Sequence, residues 1–164
     1  MLNKTKIALL GAMAVAATAS TGAQAATQTA NAEVDIIAAV QLAQNASLDF
    51  GVVASGASAG TVELPTGADT RTCTAGLTCV GTAQRGQFTV SGAATGFTVA
   101  ISVPASTTLT SGGNTMTLAL TPSITSFTSV GAPQVFYVGG SLAVGASQPA
   151  GNYTGTYTVS ADYQ

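Results

Sequence analysis

The feature that most constrains this chain is the alternation of apolar with polar or small residues that sets in after residue 32. A period of two puts every second side chain on one face of an extended chain, the pattern of a half-buried strand. Val34, Ile36, Ala38, Val40 and Leu42 share one such face. Leu48, Phe50 and Val52 follow, then Val62 and Leu64, Phe88 and Val90, and the regular run Phe97, Val99, Ile101 and Val103. Met116, Leu118 and Leu120 come next, then Val135 to Val138, Leu142 and Val144, and last Tyr153, Tyr157, Val159, Ala161 and Tyr163. Turn formers separate these runs, among them Gly51, Ser55-Gly56, Thr66-Gly67, Ser91-Gly92, Ser111-Gly112-Gly113-Asn114, Gly139-Gly140 and Pro149-Ala150-Gly151-Asn152. About eight to ten short strands at this spacing predict an all-β, immunoglobulin-like β-sandwich. Val, Thr and Gly are weak helix formers. Only Ala32–Gln44, rich in Ala and Ile, also fits a helix.

The alternation does not reach the N-terminus, which carries a different signal. Lys4 and Lys6 precede an apolar run from Ile7 to Ala17, and Ala23-Gln24-Ala25 follows. A basic start, a short apolar run and a small-x-small site, in that order, mark a secretory signal peptide. The run is shorter than the roughly 20 residues that cross a bilayer. Residues 1–25 are therefore expected to be removed at export, leaving Ala26 as the new N-terminus and no membrane anchor. Residues 26–32 read as a short polar N-terminal extension and residues 33–164 as one domain.

What remains after Ala25 carries two arginines, Arg71 and Arg85, against Glu33, Asp35, Asp49, Glu63, Asp69 and Asp162, a net charge of −4. Nucleic acids and anionic membranes require clustered Lys and Arg, so neither is expected as a partner. Apolar residues make up 46% and charged residues only 6% of the chain, the reverse of a disordered composition.

Cys73 and Cys79 are the only cysteines. In an exported protein, two thiols flanking a turn at Gly76 read as a disulfide. Closing so short a loop contributes about 2 kcal/mol in the chain-entropy model. Two thiolates without a histidine leave half of zinc's coordination unfilled, so no metal is expected.

Groups for catalysis are few. The chain has no His, which removes Ser-His and Cys-His arrangements. Glu33 and Asp35 fall on one strand face and have the composition of a carboxylate pair, but read more simply as solvated strand positions. Asp69 and Arg71 beside the disulfide loop offer a sugar-binding cluster or, more simply, an exposed tip. No glycine-rich loop opens a helix to cradle phosphate. Asn45-Ala46-Ser47 and Asn152-Tyr153-Thr154 match glycosylation triplets, which recur by chance in a chain rich in Ser and Thr. The expectation is a protein with no catalytic residues, no cofactor and no metal.

The C-terminal stretch is more specific. Gly151, Tyr153, Gly155, Tyr157, Val159, Ala161 and the penultimate Tyr163 form a glycine-led alternating strand. This resembles the last strand of chaperone–usher pilins. Val40 to Gly60, including Leu48-Asp49-Phe50-Gly51, is similar to the early strands of spore-coat-U-type and related secreted pilin-like bacterial proteins. The resemblance implies a structural subunit of a pilus, fimbria or surface coat, located in the periplasm, on the cell surface or in an extracellular filament. It implies assembly by strand addition to copies of itself or related subunits, handled by a periplasmic chaperone and an outer-membrane usher. Val34, Ile36, Ala38, Val40 and Leu42 would then be either a donor strand or the domain's own first strand. Two features differ from the family pattern: little apolar sequence precedes Glu33, and the cysteines pinch a local loop instead of joining early strands. The alternative is a self-complete secreted or periplasmic β-sandwich that binds a ligand or packs on the envelope.

Overall fold

The computed structural model describes residues 25–164; most of the segment read as a signal peptide lies outside them. The chain divides into two units, Met1–Asp35 and Ile36–Gln164. Residues 25–35 contain no strand or helix and are exposed throughout. Glu33 and Asp35 are thus not on a strand and form no paired site.

The unit Ile36–Gln164 is all β. Its strands are β1 (Gln41–Ala46), β2 (Val52–Ala54), β3 (Gly60–Leu64), β4 (Thr72–Cys73), β5 (Thr78–Val80), β6 (Gly86–Ser91), β7 (Thr98–Ser102), β8 (Ser106–Ser111), β9 (Asn114–Pro122), β10 (Ser126–Thr128), β11 (Gln134–Val144) and β12 (Ser160–Tyr163). Every strand pairing is antiparallel. Among the described residues no helix is long and apolar enough to cross a membrane.

β11 organises the largest sheet. Its first half, Gln134–Val138, pairs with β6, which in turn pairs with β1. Its second half, Gly140–Val144, pairs with β3, which carries β4. On β11's other edge, Val138–Leu142 pairs with β9, and β9 folds back on β8. The β8–β9 turn is the expected one. Gly112 and Gly113 both have positive φ, at 53° and 87°, as a two-residue type I′ hairpin requires.

The Gly139-Gly140 pair, read as a turn, is the centre of a continuous strand. Phe136, Val138, Gly140, Leu142 and Val144 are all buried on one parity, so the alternation passes through the glycines without a slip. A Cβ on Gly139 would lie 2.3 Å from the Leu64 carbonyl oxygen, and one on Gly140 would lie 2.2 Å from that of Ala119. The pair is there for close backbone approach from two sides.

β7 lies between β10 and β12 in a second, three-stranded sheet. Val99 and Ile101 of β7 join Val62, Leu64, Phe88 and Phe136 of the large sheet in one buried cluster, which makes the unit a sandwich. Phe88 and Phe136 stack at 5.4 Å between ring centroids. Fully burying side chains of this size contributes about 1.5–3 kcal/mol each.

Three further expectations change. The first strand starts at Gln41; Val34, Ile36 and Ala38 are exposed and outside any strand, and Ala32–Gln44 is not a helix. Leu42 lies opposite Val90 of β6, and Val40 and Leu42 pack against the core, so these two belong to the domain and not to a free donor. Val52 does not share a face with Leu48 and Phe50. Gly51, at φ +65°, reverses the parity, leaving Val52 66% exposed and turning Val53 inward. Phe97 likewise precedes β7, follows Gly96 at φ +86°, and is half exposed with its ring edge-on to Tyr163.

Candidate functional site

The C-terminal signature keeps its alternation but loses its ladder. Tyr153, Tyr157, Val159, Ala161 and Tyr163 are each half-buried, while Thr154, Thr156 and Asp162 are exposed. Only Ser160–Tyr163 is strand, paired with β7. Upstream, Thr154 exchanges two backbone hydrogen bonds with Thr110 of β8 at 2.8 and 3.0 Å. The Thr107 hydroxyl donates to the Thr156 carbonyl at 2.7 Å. Among the described residues no other backbone pairing holds 149–159. Gly151 and Gly155 let this strap lie close to β8, since a Cβ would come within 2.3 Å of the Ser111 hydroxyl and 2.5 Å of the Thr108 carbonyl oxygen.

Opposite the strap runs Ser47–Ser55. Asp49 is bridged to Gln84 by two backbone bonds of 2.8 Å, and β2 pairs with β5. Between the two segments is a trough of about 660 Å³. Its floor is Leu109, Met116, Leu118, Leu142 and Val144, the inner faces of β8, β9 and β11. Leu48, Phe50 and Val53 line one wall; Tyr153 and Tyr157 line the other. The trough is thus apolar along its floor, while its rim carries polar residues such as Ser47, Asp49, Gln148 and Asn152. In an extended chain successive backbone groups point to opposite sides. With Thr154 turned toward β8, the N–H and C=O of Tyr153 and Gly155 point away from β8.

The tyrosines anchor the strap unequally. The Tyr153 hydroxyl donates to the Pro149 carbonyl at 2.9 Å and accepts from Gln148 Nε2 at 2.8 Å. The Tyr163 hydroxyl donates to the Ala38 carbonyl at 2.9 Å and accepts from the Ala94 N–H at 2.7 Å. Among the described residues the Tyr157 hydroxyl is buried without a partner, its ring edge-on to Phe88 at 6.3 Å. Burial pushes its phenol above the ordinary value of 10.0.

A family match covers most of this unit. The family given as a domain of unknown function, DUF4402, matches residues 40–163. The chain belongs to that family. No curated protein matches it. The DUF4402 domain begins at Val40, so Val34, Ile36 and Ala38 precede it, and it runs through the strap to Tyr163.

Cys73 and Cys79 of the DUF4402 domain are bridged, with α-carbons 6.5 Å apart and Gly76 at φ +96° in the loop. Asp69 does not pair with Arg71. Its carboxylate accepts from the Arg85 backbone N–H at 2.8 Å and from Arg85 Nε at 3.0 Å, and these bonds hold it below its ordinary range. Arg85 also lies 4.0 Å over the Tyr137 ring. Among the described residues no group of His, Cys, Asp or Glu is placed to hold a metal. The trough and the close packing at Gly139-Gly140 were not readable as sites from sequence; the half-buried alternation of the strap was the only signal for the trough.

Proposed function

We propose that the protein is a non-enzymatic structural subunit of a pilus, fimbria or cell-surface coat, assembled by donor-strand addition. The observation that carries this reading is the trough, apolar along its floor and walled on one side by the strap, whose backbone among the described residues is paired only at Thr154. A strand laid in it would give the strap backbone partners and set alternate side chains on Leu109, Met116 and Leu118. Left open, such an edge and floor are costly in water. The segment ahead of the domain supplies the matching pattern: Val34 and Ile36, 79% and 91% exposed, alternate with Glu33 and Asp35.

Given by one copy to the next, that segment makes a head-to-tail contact that builds an open filament. Copies of the chain or related subunits are the partners, with a periplasmic chaperone and an outer-membrane usher handling them. The export signal read at residues 1–25 and the Cys73–Cys79 bridge support a place in the periplasm, on the cell surface or in a filament. The second reading is a self-complete exported sandwich that binds a ligand. It is favoured by Val40 and Leu42, which already pack in their own domain, and by the trough's volume, within the roughly 300–1,000 Å³ of small-molecule pockets.

Ile36→Asp separates the two. An unpaired carboxylate set on the trough's apolar floor is strongly disfavoured, so multimers seen by sedimentation should disappear while the melting temperature of the monomer stays unchanged. Val40→Asp should instead destabilise the domain. A wild-type chain that stays monomeric at high concentration, and takes up no peptide of residues 30–37, overturns the subunit reading.

A further inference from the structure

The trough wall that carries Phe50 and Val53 is not part of the large sheet. β2 pairs only with β5, with Val53 opposite Cys79. β5 reaches the large sheet through the Cys79–Cys73 bridge, and Cys73 lies opposite Val62 of β3. A second tie runs beside the first. Arg71 Nη1 donates to the Phe50 carbonyl at 2.7 Å, and Nη2 donates to the Val80 carbonyl at 2.6 Å. One planar cation therefore joins the trough wall to the strand that suspends it. The wall is shaped to this guanidinium: Gly51 sits at φ +65°, and a Cβ there would be 2.3 Å from Arg71 Nη1. Among the described residues the ion pair is Arg85–Asp69, so Arg71 binds carbonyl oxygens in place of a carboxylate.

We propose that Arg71 is a positioning residue for the trough, holding Phe50–Ala54 at the spacing a bound strand requires; its consequence for uptake rests on the subunit reading above. The arginine fork is what the geometry uses. Its two Nη groups reach carbonyls on different segments at fixed spacing, which the single point charge of lysine does not reproduce. Losing the guanidinium leaves the Phe50 and Val80 carbonyls without this donor, and leaves the wall held by the three-residue β2 ladder and the Asp49–Gln84 bridge.

The test compares Arg71→Gln and Arg71→Lys with the wild-type protein, disulfide intact, by hydrogen exchange, melting temperature and uptake of a synthetic peptide of residues 30–37. Both variants should exchange the amides of Val52–Ala54 at least about tenfold faster while Gln134–Val144 keeps its protection, and should bind the peptide about tenfold more weakly. Added ethylguanidinium should restore uptake in a third variant, Arg71→Ala, which a loss of general stability would not allow. Unchanged exchange in Val52–Ala54 in both the Gln and Lys variants overturns the proposal, as does faster exchange with full peptide affinity. If the wild type takes up no peptide, the subunit reading falls, and the exchange contrast alone decides whether Arg71 holds the wall. Should Arg71→Gln fail to fold, Arg71→Lys, which keeps the charge, carries the comparison.

Discussion

The half of the sandwich built on β11 and the half that flanks the trough carry the same alternating sequence pattern, yet only the first forms continuous ladders. Gln134–Val144 is bonded on both edges, to β6 and β3 on one side and β9 on the other. Its Phe136 and Val138 are wholly buried. The strap from Pro149 to Val159 turns Tyr153, Tyr157 and Val159 inward with the same period, but meets a neighbour's backbone only at Thr154. Alternation decides which face a residue takes; a partner on the edge decides whether the segment is a strand. Two glycines show the same division. Gly139 and Gly140 sit where backbones crowd in from either side, whereas Gly151 and Gly155 let the strap lie against β8 alone.

If the β11 half holds the unit together, damage there should cost far more than equal damage at the trough. Phe136→Ala removes a wholly buried ring stacked on Phe88 and should cost about 4 kcal/mol in denaturant unfolding. Gly140→Ala should follow at about 3 kcal/mol, because the Ala119 backbone cannot yield as a side chain would. A loss below about 1 kcal/mol would mean the sheet can part at its centre, and the contrast between the halves would fail. Leu109→Ala, at the trough floor, should cost only about 1 kcal/mol, since that side chain already borders open volume and leaves little new cavity. An equal cost for Leu109 and Phe136 would abolish the distinction.

The smallest effect is expected at Tyr157, where the two halves meet. Tyr157→Phe deletes a buried hydroxyl that has no partner and should be neutral or stabilising by up to about 1 kcal/mol. The same substitution sharpens the pH dependence. With its phenol raised by burial, the folded chain holds that proton more tightly than the unfolded chain does. The resulting stability is complete below the ordinary phenol range and is lost as pH rises through the raised value. Alkaline melting curves should therefore fall less steeply for Tyr157→Phe than for the wild type.

Much of the sandwich was legible because burial enforces period two. The faces of β3, β6, β9 and the inward half of β11 follow from their apolar residues directly, and the Gly112-Gly113 hairpin from its composition. What failed to read was anything set by distant backbone. Gly139-Gly140 carries the composition of a turn, and only the approach of Leu64 and Ala119 makes it a strand centre. Val52 falls on the apolar parity of Phe50, and one positive φ at Gly51 moves it outside. The run Val34 to Leu42 reads as one strand, yet only its end meets β6. The disulfide was legible because six residues of separation around a glycine make it a local matter. Arg71 was legible as a charge but not as a clamp, since its acceptors are carbonyls, which every sequence has everywhere.

The engagement of both arginines bears on how the folded domain meets a protease. Lys4 and Lys6 are the only lysines, so beyond them a protease that cuts after basic side chains has two places to bite, Arg71 and Arg85. Each must be drawn out, extended, into the protease's specificity pocket, and each is tied down where it stands, Arg71 to carbonyls of two segments and Arg85 to Asp69 and the face of Tyr137. Cleavage then waits on local unfolding. The folded domain should therefore resist digestion by trypsin-like enzymes, and the Arg71 and Arg85 sites should be cut only under conditions that open the structure locally.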